Sequence, residues 1–263
     1  MRIRRFFIGL AALGACAQLA SAAPVLWSTA PDSSGLYSLV RIDVAAKTVT
    51  PVFPLGNKQV AFNGGLTFDS ATGLFNALFS ESDNSATFVT FTKDGGGALT
   101  GLYQPGVGFH GGLAFVSRLN GVIVNDDYGI AGAQDGSSML ILLPTRAGET
   151  IEFVAPLGFG FNGGLTFDPL NGELYAISND SAGRSTLERI DLKTGTVRPV
   201  GVSLGFGFNG GLAFDPSSNL LYAIGSDNTG FSTLFSFNTD ASRIKALFPL
   251  GFGFNGASLT LGP

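Results

Sequence analysis

Cysteine and histidine are nearly absent from this chain: Cys16 and His110 are the single copies among 263 residues. A zinc-type centre needs several nitrogen or sulfur ligands, so one imidazole gives no basis for a transition-metal site, and none is assigned. Calcium held by Asp and Asn oxygens around Asn125, Asp126 and Asp127 is the cation left open, although no EF-hand spacing accompanies them. No other cofactor is implied. Charge is sparse as well, at 13% of residues, and no basic cluster follows the first five residues. That argues against nucleic acid and anionic membranes as partners. Nor does any apolar run reach the roughly 20 residues that span a bilayer, which argues against membrane insertion.

What the chain does have begins with a basic start, Met1-Arg2-Ile3-Arg4-Arg5, ten apolar residues over 6–15, and the small-residue triplet Ala20-Ser21-Ala22. This is the pattern of a secretory signal peptide, so residues 1–22 are expected to be removed and 23–263 to form one domain that is periplasmic or secreted. Arg4-Arg5-Phe6-Phe7-Ile8 faintly resembles a twin-arginine signal. Cleavage takes Arg2, Arg4 and Arg5 with it and moves the net charge from −4 to about −7. It also removes Cys16, leaving no disulfide framework. The alternative is a lipoprotein site at Leu13-Gly14-Ala15-Cys16, with Cys16 carrying the lipid anchor.

The remaining sequence returns repeatedly to one stretch. Gly205-Phe206-Gly207-Phe208-Asn209-Gly210-Gly211-Leu212-Ala213-Phe214-Asp215-Pro216 recurs over 158–169 with Thr166 in place of Ala213. Looser copies cover 62–69, 109–115 and 251–259. Their central residues are Asn63, His110, Asn162, Asn209 and Asn255, at spacings of 47, 52, 47 and 46. A fixed period of this length marks a repeat architecture, and the content of each period says which one. From Leu165 the chain reads as four short strands. They are separated by Asp168-Pro169-Leu170-Asn171-Gly172, then 179–183, then Lys193-Thr194-Gly195, all turn chemistry, with no helical periodicity.

Four antiparallel strands per period form a β-propeller blade. The expected fold is therefore all-β, a five-bladed propeller. Residues 25–55 supply only three strand-like runs and residues 257–261 supply a spare inner strand, so the two ends are expected to pair and close the ring. Closure removes the exposed sheet edges that an open array would carry. The third unit, 113–155, is the divergent one, and its second hairpin is expected to swell over 125–136.

The Gly-Gly pairs take side chains away where the inner strands crowd the axis, and Phe161 and Phe208 are expected to pack between blades. The turn entering each inner strand carries Asn63, His110, Asn162, Asn209 and Asn255. The turn between second and third strands is read as carrying Asp32, Asp83, Asp127, Asp180 and Asp227. Both sets fall on one rim, so each blade is expected to present an amide or imidazole near the axis and a carboxylate further out. These residues cap turns with their own side chains, and they are also the candidate ligand-binding set.

The blade pattern Gly-Leu-x-Phe-Asp-Pro, Leu-Tyr-Ala-Ile, then Arg189-Ile190-Asp191 and Lys193-Thr194-Gly195, resembles secreted bacterial β-propellers of the NHL, quinoprotein and lactonase styles. The five-unit count is similar to that of tachylectin-type lectins, without their sugar-binding motifs. Near-symmetry of the rim favours a non-enzymatic extracytoplasmic binding or scaffold protein, multivalent for carbohydrate or extracellular protein. The alternative is a sugar- or lactone-active hydrolase with a site in the divergent third blade, where His110, Asp126 and Asp127 would be the catalytic candidates.

Overall fold

The computed structural model describes residues 23–56, 65–80, 86–96, 108–119, 121–133, 135–144 and 150–263. The signal-peptide reading, Cys16, Asn63 and Asp83 lie outside them. Among the described residues the fold is strands and turns, with no helix long and apolar enough to cross a membrane.

Among the described residues nineteen strands build five sheets, one per blade. The first blade orders β19 (Leu259–Leu261), β1 (Val25–Pro31), β2 (Tyr37–Asp43) and β3 (Thr48–Gly56) from axis to edge. The second has three described strands, β4 (Leu66–Asp69), β5 (Leu74–Ser80) and β6 (Ala86–Phe91). The third holds β7 (Gly108–Leu119), β8 (Val122–Gly132), β9 (Ser138–Leu143) and β10 (Glu152–Gly158). The fourth comprises β11 (Leu165–Asp168), β12 (Glu173–Asn179), β13 (Arg184–Asp191) and β14 (Thr196–Phe206), and the fifth β15 (Leu212–Asp215), β16 (Leu220–Ser226), β17 (Ser232–Asn238) and β18 (Lys245–Gly251).

The ring closes as the repeat count requires. β19 pairs antiparallel with β1, Leu26 opposite Leu261 and Ser28 opposite Leu259, and the Ser28 hydroxyl donates to the Ser258 carbonyl. Inner strands then follow one another around the axis as β4, β7, β11, β15, β19 and back to β4. The Phe115 N–H donates to the Thr67 hydroxyl at 2.9 Å and the Phe214 N–H to the Thr166 hydroxyl at 3.1 Å, stitching neighbouring inner strands together.

The Gly-Gly pairs are explained by what surrounds them. A Cβ on Gly210 would lie 2.7 Å from the Ile224 Cβ of its own blade, and one on Gly211 would lie 2.0 Å from the backbone nitrogen of Leu259 in the next. Gly163 and Gly164 repeat this against Ile177 and Leu212. With side chains absent there, Leu66, Leu113, Leu165, Leu212 and Leu259 meet at the axis, all buried, and leave a central gap of only about 10 Å³. Between blades, Phe208 is buried and packs tilted against Phe235, with ring centroids 5.0 Å apart, in a cluster that also takes Tyr175 and Ile177 from the preceding blade. Phe161 fills the same slot between the third and fourth blades.

The third blade departs from expectation. Residues 125–132 do not swell into a hairpin loop; they belong to β8, an eleven-residue strand, and the chain turns after it, with the Ala133 N–H donating to the Ser137 carbonyl. Asn125 does adopt a left-handed backbone, with φ of 57°. The turn-like composition therefore expresses itself as a kink within the strand, opposite a register shift between Val116 and Arg118.

Because the atoms facing Gly211 are backbone and cannot rotate away, Gly211→Ala is expected to cost about 3 kcal/mol, lowering the melting temperature by about 6 to 12 °C. Gly96→Ala, at an exposed site where the nearest atom is 3.4 Å away, serves as the control and should change little. Calorimetry on both variants checks this; equal melting points would remove the axial-crowding explanation.

Candidate functional site

The connection that carries each blade's outer strand to the next inner strand turns at a repeated corner. Phe159, Phe206 and Phe252 each stand between two glycines with positive φ: 90° and 85° at Gly158 and Gly160, 101° and 85° at Gly205 and Gly207, 95° and 91° at Gly251 and Gly253. Glycine accepts this conformation freely, whereas other residues meet their own Cβ. The second glycine also tucks beneath the following blade. A Cβ on Gly207 would lie 2.0 Å from the Ser226 carbonyl, and the Ser226 N–H donates to the Gly207 carbonyl at 2.8 Å. Gly160 is held in the same way by Asn179. The double inversion sends the first phenylalanine out and the second in. Phe159, Phe206 and Phe252 are 69%, 66% and 68% exposed, while Phe161, Phe208 and Phe254 are buried.

Each of two corners meets the residue that ends the neighbouring turn of the same rim. The Arg184 guanidinium lies 5.9 Å from the centroid of the Phe206 ring, a cation–π contact. Phe252 meets Phe231 edge-on at 5.3 Å. Asn162, Asn209 and Asn255 lie on this rim with exposed side chains, nearer the axis than the phenylalanines, and Asn162 and Asn209 border the narrow axial gap.

The rim aspartates are turn caps. Asp32 Oδ1 accepts from the Ser34 N–H, the Ser34 hydroxyl and the Leu36 N–H, and Asp227 Oδ1 from the equivalent groups of Thr229 and Phe231. The hydroxyl bonds of Ser34 and Thr229 lead the effects that hold these two carboxyls below their ordinary range. Asp180 caps its turn through the N–H groups of Ala182 and Arg184. One oxygen of each is thus committed to the backbone.

Asp127 is not among them. It sits inside β8, opposite Phe115, and is only 3% exposed. In the third blade the turn is capped instead by Asp135, which accepts from the Ser137 N–H and hydroxyl. Asn76 donates to Asp127 Oδ2 at 2.7 Å. Burial pushes the Asp127 carboxyl up to about 7, against the hydrogen bond from Asn76, with the charges of Asp69 and Asp126 adding to the rise. The structure also separates the residues proposed for catalysis. Asp126 and Asp127 are successive strand residues and point to opposite faces. His110 lies in β7 between the Phe109–Ala131 and Gly111–Ile130 pairs, three to five residues along β8 from the two aspartates. At strand spacing that is about 10 to 17 Å.

On the opposite rim the axis opens below the leucine ring into a cavity of about 230 Å³, lined by Thr67, Phe68, Phe115, Thr166 and Phe214 among others. The leucines part it from the rim of exposed phenylalanines.

No family model matches this chain, and no curated protein matches it. Solved structures do. A chain from the nidogen/laminin complex superposes with a TM-score of 0.57 at 16% identity, covering 90% of this chain and 81% of that one. A variant of the Aleuria aurantia lectin in complex with α-methyl-L-fucoside gives 0.57 at 11%, covering 93% and 82%. TolB from Acinetobacter baumannii gives 0.52 at 11%, covering 90% of this chain and 66% of that one. At these identities the likeness is one of fold, and the chain is a β-propeller.

Asp127 ties stability to pH. Its folded-state carboxyl titrates near 7 rather than at the ordinary 3.8. Its favourable share is therefore complete below pH 4 and is lost as pH rises through 7. A shift of this size corresponds to about 4 kcal/mol. In urea melts Asp127→Asn should gain on the wild type by up to that amount between pH 4 and pH 8. Parallel stability profiles for the two proteins would contradict the burial of an unsatisfied carboxyl.

Proposed function

We propose that the protein is a non-enzymatic, exported binding propeller that takes neutral glycans on the rim bearing Phe159, Phe206 and Phe252. The observation that carries this reading is the repetition of one pre-formed aromatic corner. A phenylalanine two-thirds exposed costs solvation in the free protein and gains when a sugar's C–H face covers it. Next to it stand groups that hydrogen-bond hydroxyls: Arg184 beside Phe206, the second carboxylate oxygens of the capping aspartates, and the amides of Asn162, Asn209 and Asn255. Three rigid copies around one rim suit a branched or surface-bound ligand, for which avidity multiplies weak individual contacts about 10²- to 10⁴-fold.

Support from the comparisons is at the level of fold. One structure of similar fold is described with a fucoside bound and another in a protein–protein complex. Both fit a rim that works by contact rather than by bond chemistry. Location outside the cytoplasm rests on the N-terminal pattern of residues 1–22.

The corners are exposed, so replacing them should change stability by no more than about 0.5 kcal/mol each. The variant Phe159→Ser, Phe206→Ser, Phe252→Ser is expected to lose at least about 100-fold in apparent affinity on a glycan array while melting close to wild type. A single substitution should lose far less. Array binding that survives the triple variant would move the site off this rim, and a silent wild type would leave the corners to a protein partner.

A further inference from the structure

The second and third blades break the repeat at two positions that touch each other. Opposite the inner-strand phenylalanine or its equivalent, four blades place a buried apolar side chain: Leu26, Phe75, Leu174 and Leu221. The third blade places Asp127 there. One residue further along, the same strand carries a large aromatic in four blades, Trp27, Tyr128, Tyr175 and Tyr222, whereas the second blade carries Asn76.

The consequence is a cavity of about 400 Å³ between these two blades, opening toward the rim opposite the exposed phenylalanines and parted from the axial cavity by Phe115, which lines both. Its polar side is ordered. The Thr90 hydroxyl donates to Asn76 Oδ1 at 3.0 Å, which fixes the amide so that its nitrogen donates to Asp127 Oδ2. Asp127 Oδ1, fully buried, has no hydrogen-bond partner among the described residues. A buried carboxylate oxygen left in this way is costly unless something supplies a donor.

The walls say what that donor is. Among the described residues no lysine, arginine or histidine lines the cavity, and the formal charges on it, Asp69 and Asp127, are both negative. Asp69 is spent on its own turn, accepting from the Ala71 and Thr72 N–H groups and the Thr72 hydroxyl. The rest of the lining includes Leu74, Phe88, Phe115 and Val124. We infer that this cavity binds a primary alkylammonium group, with the ammonium paired to the Asp127 carboxylate and its carbon stem lying along Phe88, Phe115 and Val124. Aromatic faces and a paired carboxylate together favour an organic cation over a neutral guest. The same chemistry is offered by a free amine and by the lysine side chain of another protein.

The test is titration calorimetry on the full-length protein at pH 8, where Asp127 is ionised, with n-butylammonium, Nα-acetyl-lysine amide and n-butanol as probes. Saturable one-to-one binding of butylammonium, at least tenfold weaker in Asp127→Asn and absent for butanol, is the expected result. Tighter binding of the blocked lysine than of butylammonium would also support the site and identify a protein side chain as its occupant. The Asp127→Asn change is isosteric and removes the charge, keeping one oxygen to accept from Asn76 and turning the other into an amide donor; its melting curve verifies the fold. Butanol binding as well as the amine, undiminished amine binding by Asp127→Asn, or no saturable binding of either amine would each overturn the assignment.

Discussion

The close approach of five inner strands at the propeller axis is the constraint on which the rest of the structure depends. A Cβ at Gly164 or Gly211 would lie 2.0 Å from the next blade's backbone nitrogen, so the ring contracts to this diameter only because both positions lack one. Contraction in turn brings the five leucines together and fills the axis. The hydroxyls of Thr67 and Thr166 then come within reach of the next strand's N–H groups. The terminal strand β19 is held by the same logic, since Leu259 is the residue against which Gly211 packs.

A narrow ring also dictates how the chain passes between blades. The connection must turn sharply, drop beneath the next blade's second strand and emerge at the axis. Paired positive-φ glycines accomplish this at three described corners, and each inversion throws one phenylalanine into solvent while the next plugs the gap between blades. Structural necessity at the corner and a ready-made aromatic contact on the rim therefore arise from one motif. Burial of Phe161, Phe208 and Phe254 anchors the corner, so the exposed ring beside it is displayed on a rigid support.

Much of this was legible from the repeats. Their period gives five blades, the uneven ends give the closure, and Asx-turn chemistry gives the capping roles of Asp32, Asp180 and Asp227. Two things were not. Gly-Phe-Gly-Phe has a period of two, which in an extended chain would put both rings on one side; the left-handed glycines invert that, and φ is invisible to periodicity. Asn125-Asp126-Asp127-Tyr128-Gly129 has the composition of a turn, yet pairing with β7 draws it into β8, and its turn preference survives only in the backbone of Asn125. Asp127 thereby moves from the rim to a buried position between blades. Aligning the repeats strand by strand, rather than by turn residues, exposes the anomaly, because the slot is apolar in the other four blades.

Ligand contact at the corner phenylalanines can be read by hydrogen-exchange footprinting of the full-length protein with the array-selected glycan. Slowed exchange should concentrate in residues 158–162, 205–209 and 251–255, with the adjoining turns at 180–184 and 227–231, and leave the opposite rim around 69–73 and 168–172 unchanged. Protection confined to that opposite rim, or absent at saturation from all three corners, would contradict it.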